Sequence, residues 1–237
     1  MAQIGQQQAA MMLELRTAAV VALAHGMRSS LALVSSPDAM QVPRRAPGRV
    51  LEPSRRRSAP HIREQPLTLS MYQASVPAFR QGLAALSAIL DKTEAQCAER
   101  KIDPAVLMAD RLAPDMFPFT RQVQLACDFA KNGTARLAGR EPPKFEDGEK
   151  TVAELKDRIA RTLAYLDTIP ASDIDGSEDR TITLNIAGQS MTFQGQPYLL
   201  HFALPNFYFH QTAAYAILRH NGIQIGKRDF IGGIPGM

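Results

Sequence analysis

The sequence predicts an all-α fold: a four-helix bundle with a small β-hairpin in the connection between its third and fourth long helices. Three observations predict the bundle and its hairpin. Four long segments carry apolar residues at helical spacings, no internal repeat is present, and one short stretch in the last connection alternates with the period of a strand.

The regular pattern starts at Leu67. In LTLSMYQASVPAFRQGLAALSAILDKTEAQCAERK, the residues Met71, Phe79, Leu83, Leu86, Leu90 and Cys97 recur on one helical face, and Pro77 marks a kink near the start. Asp103 and Pro104 then supply a cap and a first helical position for a short helix in DPAVLMAD. Pro114 and Pro118 break the chain again. A second long helix is expected over about 118–138, with Val123, Cys127, Ala130, Thr134 and Leu137 inward and Gly139 placed to end it.

The third long helix has the plainest start, because Thr151 and Glu154 form a capping box ahead of Val152, Leu155, Ile159, Leu163 and Leu166. Pro170 stops it, and SDIDGSED reads as an acidic turn. RTITLNI and SMTF flank AGQ as the hairpin, which must pack on the helices because a lone two-stranded ribbon is only marginally stable. The fourth helix is expected from about Tyr198 to Asn221, ended by Gly222. GKRDFIGGIPG has no helix after it and reads as a terminal tail, not as a phosphate-binding loop.

Charge separates the first 66 residues from the rest. They hold nine arginines, no lysine and four acids, a net of +5, whereas the remaining 171 residues carry a net of −1. The high pI therefore gives no reason to expect a nucleic-acid-binding face on the regular part. Pro and Arg recur without period over residues 36–66, too little apolar surface to offset ordering entropy, so residues 1–66 are expected to be a disordered or weakly helical extension. Glu14, Arg16, His25 and Arg28 interrupt its apolar stretch, which excludes a membrane span, and MAQIGQQQ lacks the positive charge of a signal peptide. Arg55, Arg56 and Arg57 are read as part of a solvated arm. The two cysteines, Cys97 and Cys127, lie in apolar-periodic segments outside any C-x-x-C pair, which speaks against a disulfide framework and fits a reducing cytoplasm.

The candidate site lies on the fourth helix. With Leu204 at zero and about 100° per residue, Asn206 falls at about 200° and His210 at about 240°, inside an apolar arc that runs from Phe209 to Leu218. One reading is that Asn206 and His210 hydrogen-bond each other or a neighbouring backbone group in the core; the other is a ligand or metal site, since residues four apart share a face and bundle cores house such sites. The first is favoured, because one imidazole and one amide are a poor ligand set for a divalent transition metal. Burial would bias the imidazole towards neutral. Cys127 is the third candidate: it lies at the margin of its helix's apolar arc and could approach His210, although a buried cysteine more often acts as a small hydrophobe. The acids of SDIDGSED lack the spacing of a calcium loop.

LTLSMYQASVPAF, RKIDPAVLMADRLAPDMFPFTRQVQLACDFAK, GSEDR, YLLHFALPNFYFHQTAAYAILRHNG and GKRDF together resemble the bacterial domain-of-unknown-function family 1993. That family is grouped with the DinB-like, or DNA-damage-inducible, four-helix-bundle superfamily, and the similarity covers about 67–233, leaving 234–237 as a tail. The resemblance implies a bundle of uncharacterised role. Metal-binding members of the superfamily use a His on the second helix and an H-x-x-x-H pair on the fourth, ahead of L-R-x-x-G. LRHNG at Leu218–Gly222 places His210 at the second His of that pair, Asn206 at the first, and the helix-two position near Cys127. One of three ligands is thus kept.

The expectation is a cytoplasmic bundle of unassigned activity with a polar core pocket around Asn206 and His210 that lacks the full metal triad, a divalent transition metal being left open, and a homodimer packed face to face. The alternatives are a metal-dependent enzyme of thiol-transferase type with His210 as a ligand, and a stress-response module binding nucleic acid or protein. Family members typically begin near MTLSMYQ, so residues 1–66 are expected to come from an overlong gene prediction, with Leu67 as an alternative start. An intact native mass near 26 kDa would refute this.

Overall fold

The computed structural model describes residues 69–186 and 188–234. The extension over residues 1–66, with its arginine-rich arm, and the end of the tail over 235–237 lie outside the described residues.

Ser70 opens helix α1 (Met71–Arg100) with a capping box: its Oγ accepts the Gln73 N–H at 3.2 Å, and Gln73 Oε1 accepts the Ser70 N–H. Asp175 Oδ1, from the acidic turn, accepts the Tyr72 N–H at 2.9 Å and so caps the same end from 103 residues away. The helix runs through Pro77 as one span and ends on Lys101, at φ 53°. Asp103 Oδ1 accepts the Ala105 N–H at 2.9 Å and starts the short helix α2 (Ala105–Met108), with Pro104 just outside it.

Helix α3 (Phe119–Leu137) ends in a Schellman motif. Gly139, at φ 68°, donates to the Arg136 carbonyl, and Arg140 donates to that of Ala135. The Thr151–Glu154 capping box opens α4 (Val152–Asp167), and Pro170 separates it from the short α5 (Ala171–Ile174). Strands β1 (Thr181–Ile186) and β2 (Gln189–Gln194) pair antiparallel, with Ile186 opposite Gln189 across a two-residue turn that holds Gly188 at φ 82°. Ile182 and Leu184 of β1 are buried, so the ribbon rests one face on the helices.

The last long helix differs from the regular one expected. It comprises α6 (Gly195–Tyr198), a π-helical turn (Leu199–Ala203) and α7 (Leu204–His220). Pro205 accounts for the π turn: it has no N–H to donate and its ring crowds the carbonyl one turn back, a conflict relieved by admitting an extra residue. The buried residues of α7 span about 180° to 340° on the wheel, from Ala213 to Gln211. Phe209, expected inside the arc, falls beyond that edge and is 56% exposed. Gly222, at φ 78°, closes α7 with a second Schellman motif. The segment expected to be only a tail forms α8 (Lys227–Ile231), five residues whose length hides any periodicity.

The four long helices form a closed ring, in which α1 lies against α4 and α7, and α3 against the same two. Leu83, Leu86, Ile89, Phe119, Val123, Leu155, Ile159, Phe207 and Ile217 fill its centre. One cluster in this interior is ionic. The fully buried guanidinium of Arg158 on α4 contacts Asp128 at 2.9 Å, Asp147 at 3.0 Å and Glu149 at 2.9 Å, and donates to the Glu146 carbonyl. Lys131 donates to the Pro143 carbonyl and lies 4.3 Å from the centre of the Phe145 ring. These contacts fasten the α3–α4 loop to the bundle.

Candidate functional site

His210 projects from α7 towards α3 and is 7% exposed. Its Nδ1 lies 2.7 Å from Gln122 Oε1 on α3, while Gln122 Nε2 donates to the Phe117 carbonyl at 3.0 Å. That second bond fixes the Gln122 amide, so Oε1 is an acceptor and the His210 proton resides on Nδ1. The imidazole stacks on Phe129 (5.5 Å between centroids, 17° between planes) and meets the edge of Phe209. Burial, with help from the nearby Arg121 charge, pushes the His210 pKa down to about 4. The ring is therefore neutral at pH 7 and offers the lone pair of Nε2 as an acceptor. Among the described residues nothing bonds Nε2, and Nε2 is not among the fully enclosed polar atoms that lack a partner.

Asn206 is half-buried and does not bond His210. Its Nδ2 donates to the Phe202 carbonyl at 2.7 Å, one turn back in the π segment. The widened turn disturbs the regular pairing of backbone carbonyls, and the amide of Asn206 serves one of them. Cys127 is fully buried, and its thiol lies beside Thr162 on α4 with burial pushing it up to about 12. A thiol so held is protonated at neutral pH. The three sequence candidates thus stand on different neighbours: His210 on Gln122, Asn206 on Phe202, Cys127 on Thr162.

Sequence reasoning missed Gln122. A signal was present, because Gln122, Ala126, Phe129 and Gly133 follow one another at helical spacings of four, three and four. Such a stripe, with small residues at Ala126 and Gly133, lets a neighbouring helix approach closely. A Cβ at Gly133 would lie 3.5 Å from that of Ala203 on the last long helix. A glutamine on this stripe faces α7.

One feature of the site matches a metal-bound histidine: the ring nitrogen opposite the free one donates to a fixed acceptor. The rest of the donor set does not fit. Among the described residues no group of three His, Cys, Asp or Glu side chains could hold a metal ion. Carboxamide oxygens, the donors left near His210, are hard and weak for zinc, nickel or copper.

The family model described as "Domain of unknown function (DUF1993)" matches residues 71–231. The crystal structure of a DinB family member protein from Shewanella denitrificans is similar at 44% identity and a TM-score of 0.64, over 69% of this chain and 93% of that one. No curated protein matches the chain. The chain belongs to the domain-of-unknown-function family DUF1993 and has the DinB-like helical fold.

Proposed function

We propose that this protein is a DinB-like bundle whose inter-helix site is a metal-free recognition face centred on the neutral His210. The observation that carries the reading is the His210–Gln122 bond: it commits the Nδ1 proton inward and leaves Nε2 as an acceptor for a ligand's N–H or O–H. With a pKa near 4 the imidazole is a weak base at pH 7, suited to hydrogen bonding more than to proton abstraction. Exposed Phe209, whose ring packs against the imidazole, supplies apolar surface beside it. The same reading includes a cytoplasmic location, for which the unpaired, buried Cys97 and Cys127 speak, and a face-to-face homodimer. No described helix is long and apolar enough to cross a membrane.

Elemental analysis after equilibration with Zn²⁺ and Ni²⁺, followed by dialysis, tests the reading. Substoichiometric metal that is unchanged in His210→Ala supports it. One ion per chain, lost in His210→Ala, overturns it and restores a metal-dependent enzyme with His210 as ligand. That second reading has in its favour the metal-like orientation of the ring by Gln122.

A further inference from the structure

Gln211 follows His210 in sequence but faces α1 instead of α3. Its side chain is 1% exposed, and its Nε2 donates to the Gly82 carbonyl at 3.2 Å and, more loosely, to the Phe230 carbonyl at 3.4 Å. Two carbonyl acceptors settle which end of the amide carries the nitrogen. Oε1 is left fully enclosed without a donor, a cost that native interiors rarely carry. It lies towards Gly82, where an added Cβ would sit 2.8 Å from it and 2.7 Å from the Phe207 ring, so the missing side chain is what admits the amide.

Beside this amide is a crevice of about 190 Å³, lined by Ala78, Gln81, Gly82, Tyr208, Gln211, Phe230 and Ile231. It contains no acid or base other than the Tyr208 phenol, so it suits a neutral guest. For scale, an apolar cavity of roughly 150 Å³ accommodates benzene. Helix α8 forms one wall and is held to α1 by the Gln81 bond to the Ile231 carbonyl and by the Lys92–Asp229 ion pair.

From the crevice and the enclosed acceptor we infer that the α1–α7–α8 junction is a second binding site, for a neutral single-ring aromatic carrying one O–H or N–H donor. The ring lies between Phe230, Ile231 and Ala78. Its donor reaches Oε1 as the amide gives up the looser Phe230 contact and turns towards the crevice. This site is independent of the His210 reading.

The test is a titration of the ¹⁵N-labelled full chain with phenol and, as the donor-free control, toluene. Phenol should move the Gly82 backbone and Gln211 side-chain amide signals and bind about tenfold tighter than toluene. Gln211→Leu should erase that preference. Ala78→Leu, which fills the crevice from its half-exposed wall, should abolish phenol binding without lowering the melting temperature, and it serves if Gln211→Leu does not fold. Equal affinity for the two probes, phenol shifts that survive Ala78→Leu, or no shift of these signals up to about 10 mM phenol would overturn the inference and leave the crevice without a ligand role.

Discussion

His210 Nδ1 and Gln122 Oε1 meet at 2.7 Å across the seam between α7 and α3, joining residues 88 positions apart. Because Phe117 holds the Gln122 amide from behind, this bond sets the tautomer and the orientation of the imidazole together, while burial keeps the ring neutral.

The first prediction concerns acid. His210 titrates near 6.5 in the unfolded chain and near 4 in the folded one, so between these values the unfolded state binds more protons. Stability is unaffected by this group above pH 6.5 and falls as the pH drops from 6.5 to 4, by at most about 3 kcal/mol. Urea titrations across that range should show the loss. The double variant Gln122→Leu/His210→Phe, which removes both polar partners, should flatten this part of the curve while the carboxylate-dependent loss below it remains.

Gln122→Glu reverses the sign of the environment. A carboxylate in place of the amide favours the imidazolium, so the His210 ring-proton signals should titrate well above a midpoint of 4. A midpoint that stays where it was would show that Gln122 does not govern the ring.

Arg158→Met should destabilise the fold by about 3–5 kcal/mol, because it strips the buried partner from Asp128, Asp147 and Glu149 at once. Burial alone would raise the Glu149 pKa, yet the bonds from Arg158 and Gln124 hold it below the ordinary value. Hydrogen exchange should accelerate over residues 140–150, the loop that Arg158 fastens. A loss under about 1 kcal/mol would mean that the network contributes little beyond packing.

Asn206→Ala separates a backbone role from a ligand role. It should cost about 1 kcal/mol, by removing the donor to the Phe202 carbonyl, and leave the His210 titration in place. Calorimetry and the same ring-proton titration measure the two quantities. A large change in the His210 midpoint would place Asn206 in one site with it.

Gly195→Ala should be among the most damaging small substitutions, at about 2–4 kcal/mol, since the new Cβ would fall 1.9 Å from the Ser177 carbonyl oxygen. Thermal melting reads the loss. Gly226→Ala, where an added Cβ meets nothing within 4 Å, is the control.

Much of the fold was readable from local rules. The Thr151–Glu154 box, Asp103 ahead of Ala105, and Gly139 and Gly222 after their helices act within a few residues, so the chain states them outright. The apolar faces of the long helices were equally legible, since burial of a stripe is a property of spacing. Of the site, the inward placement of His210 was legible for the same reason. Pro205 was visible too, yet its effect, a widened turn, depends on whether the surrounding helices hold the chain helical through a residue that cannot donate.

The sequence by itself determined the all-α class, the hairpin's place and the inward angle of His210, because each follows from periodicity and capping chemistry. Tertiary structure alone decided that Gln122 is the imidazole's partner, that Cys127 turns to Thr162, that Arg158 gathers three carboxylates and that Gln211 is left with a free acceptor. Those pairings join residues from different elements, and a helix's period states which side faces inward without stating which neighbour it meets there.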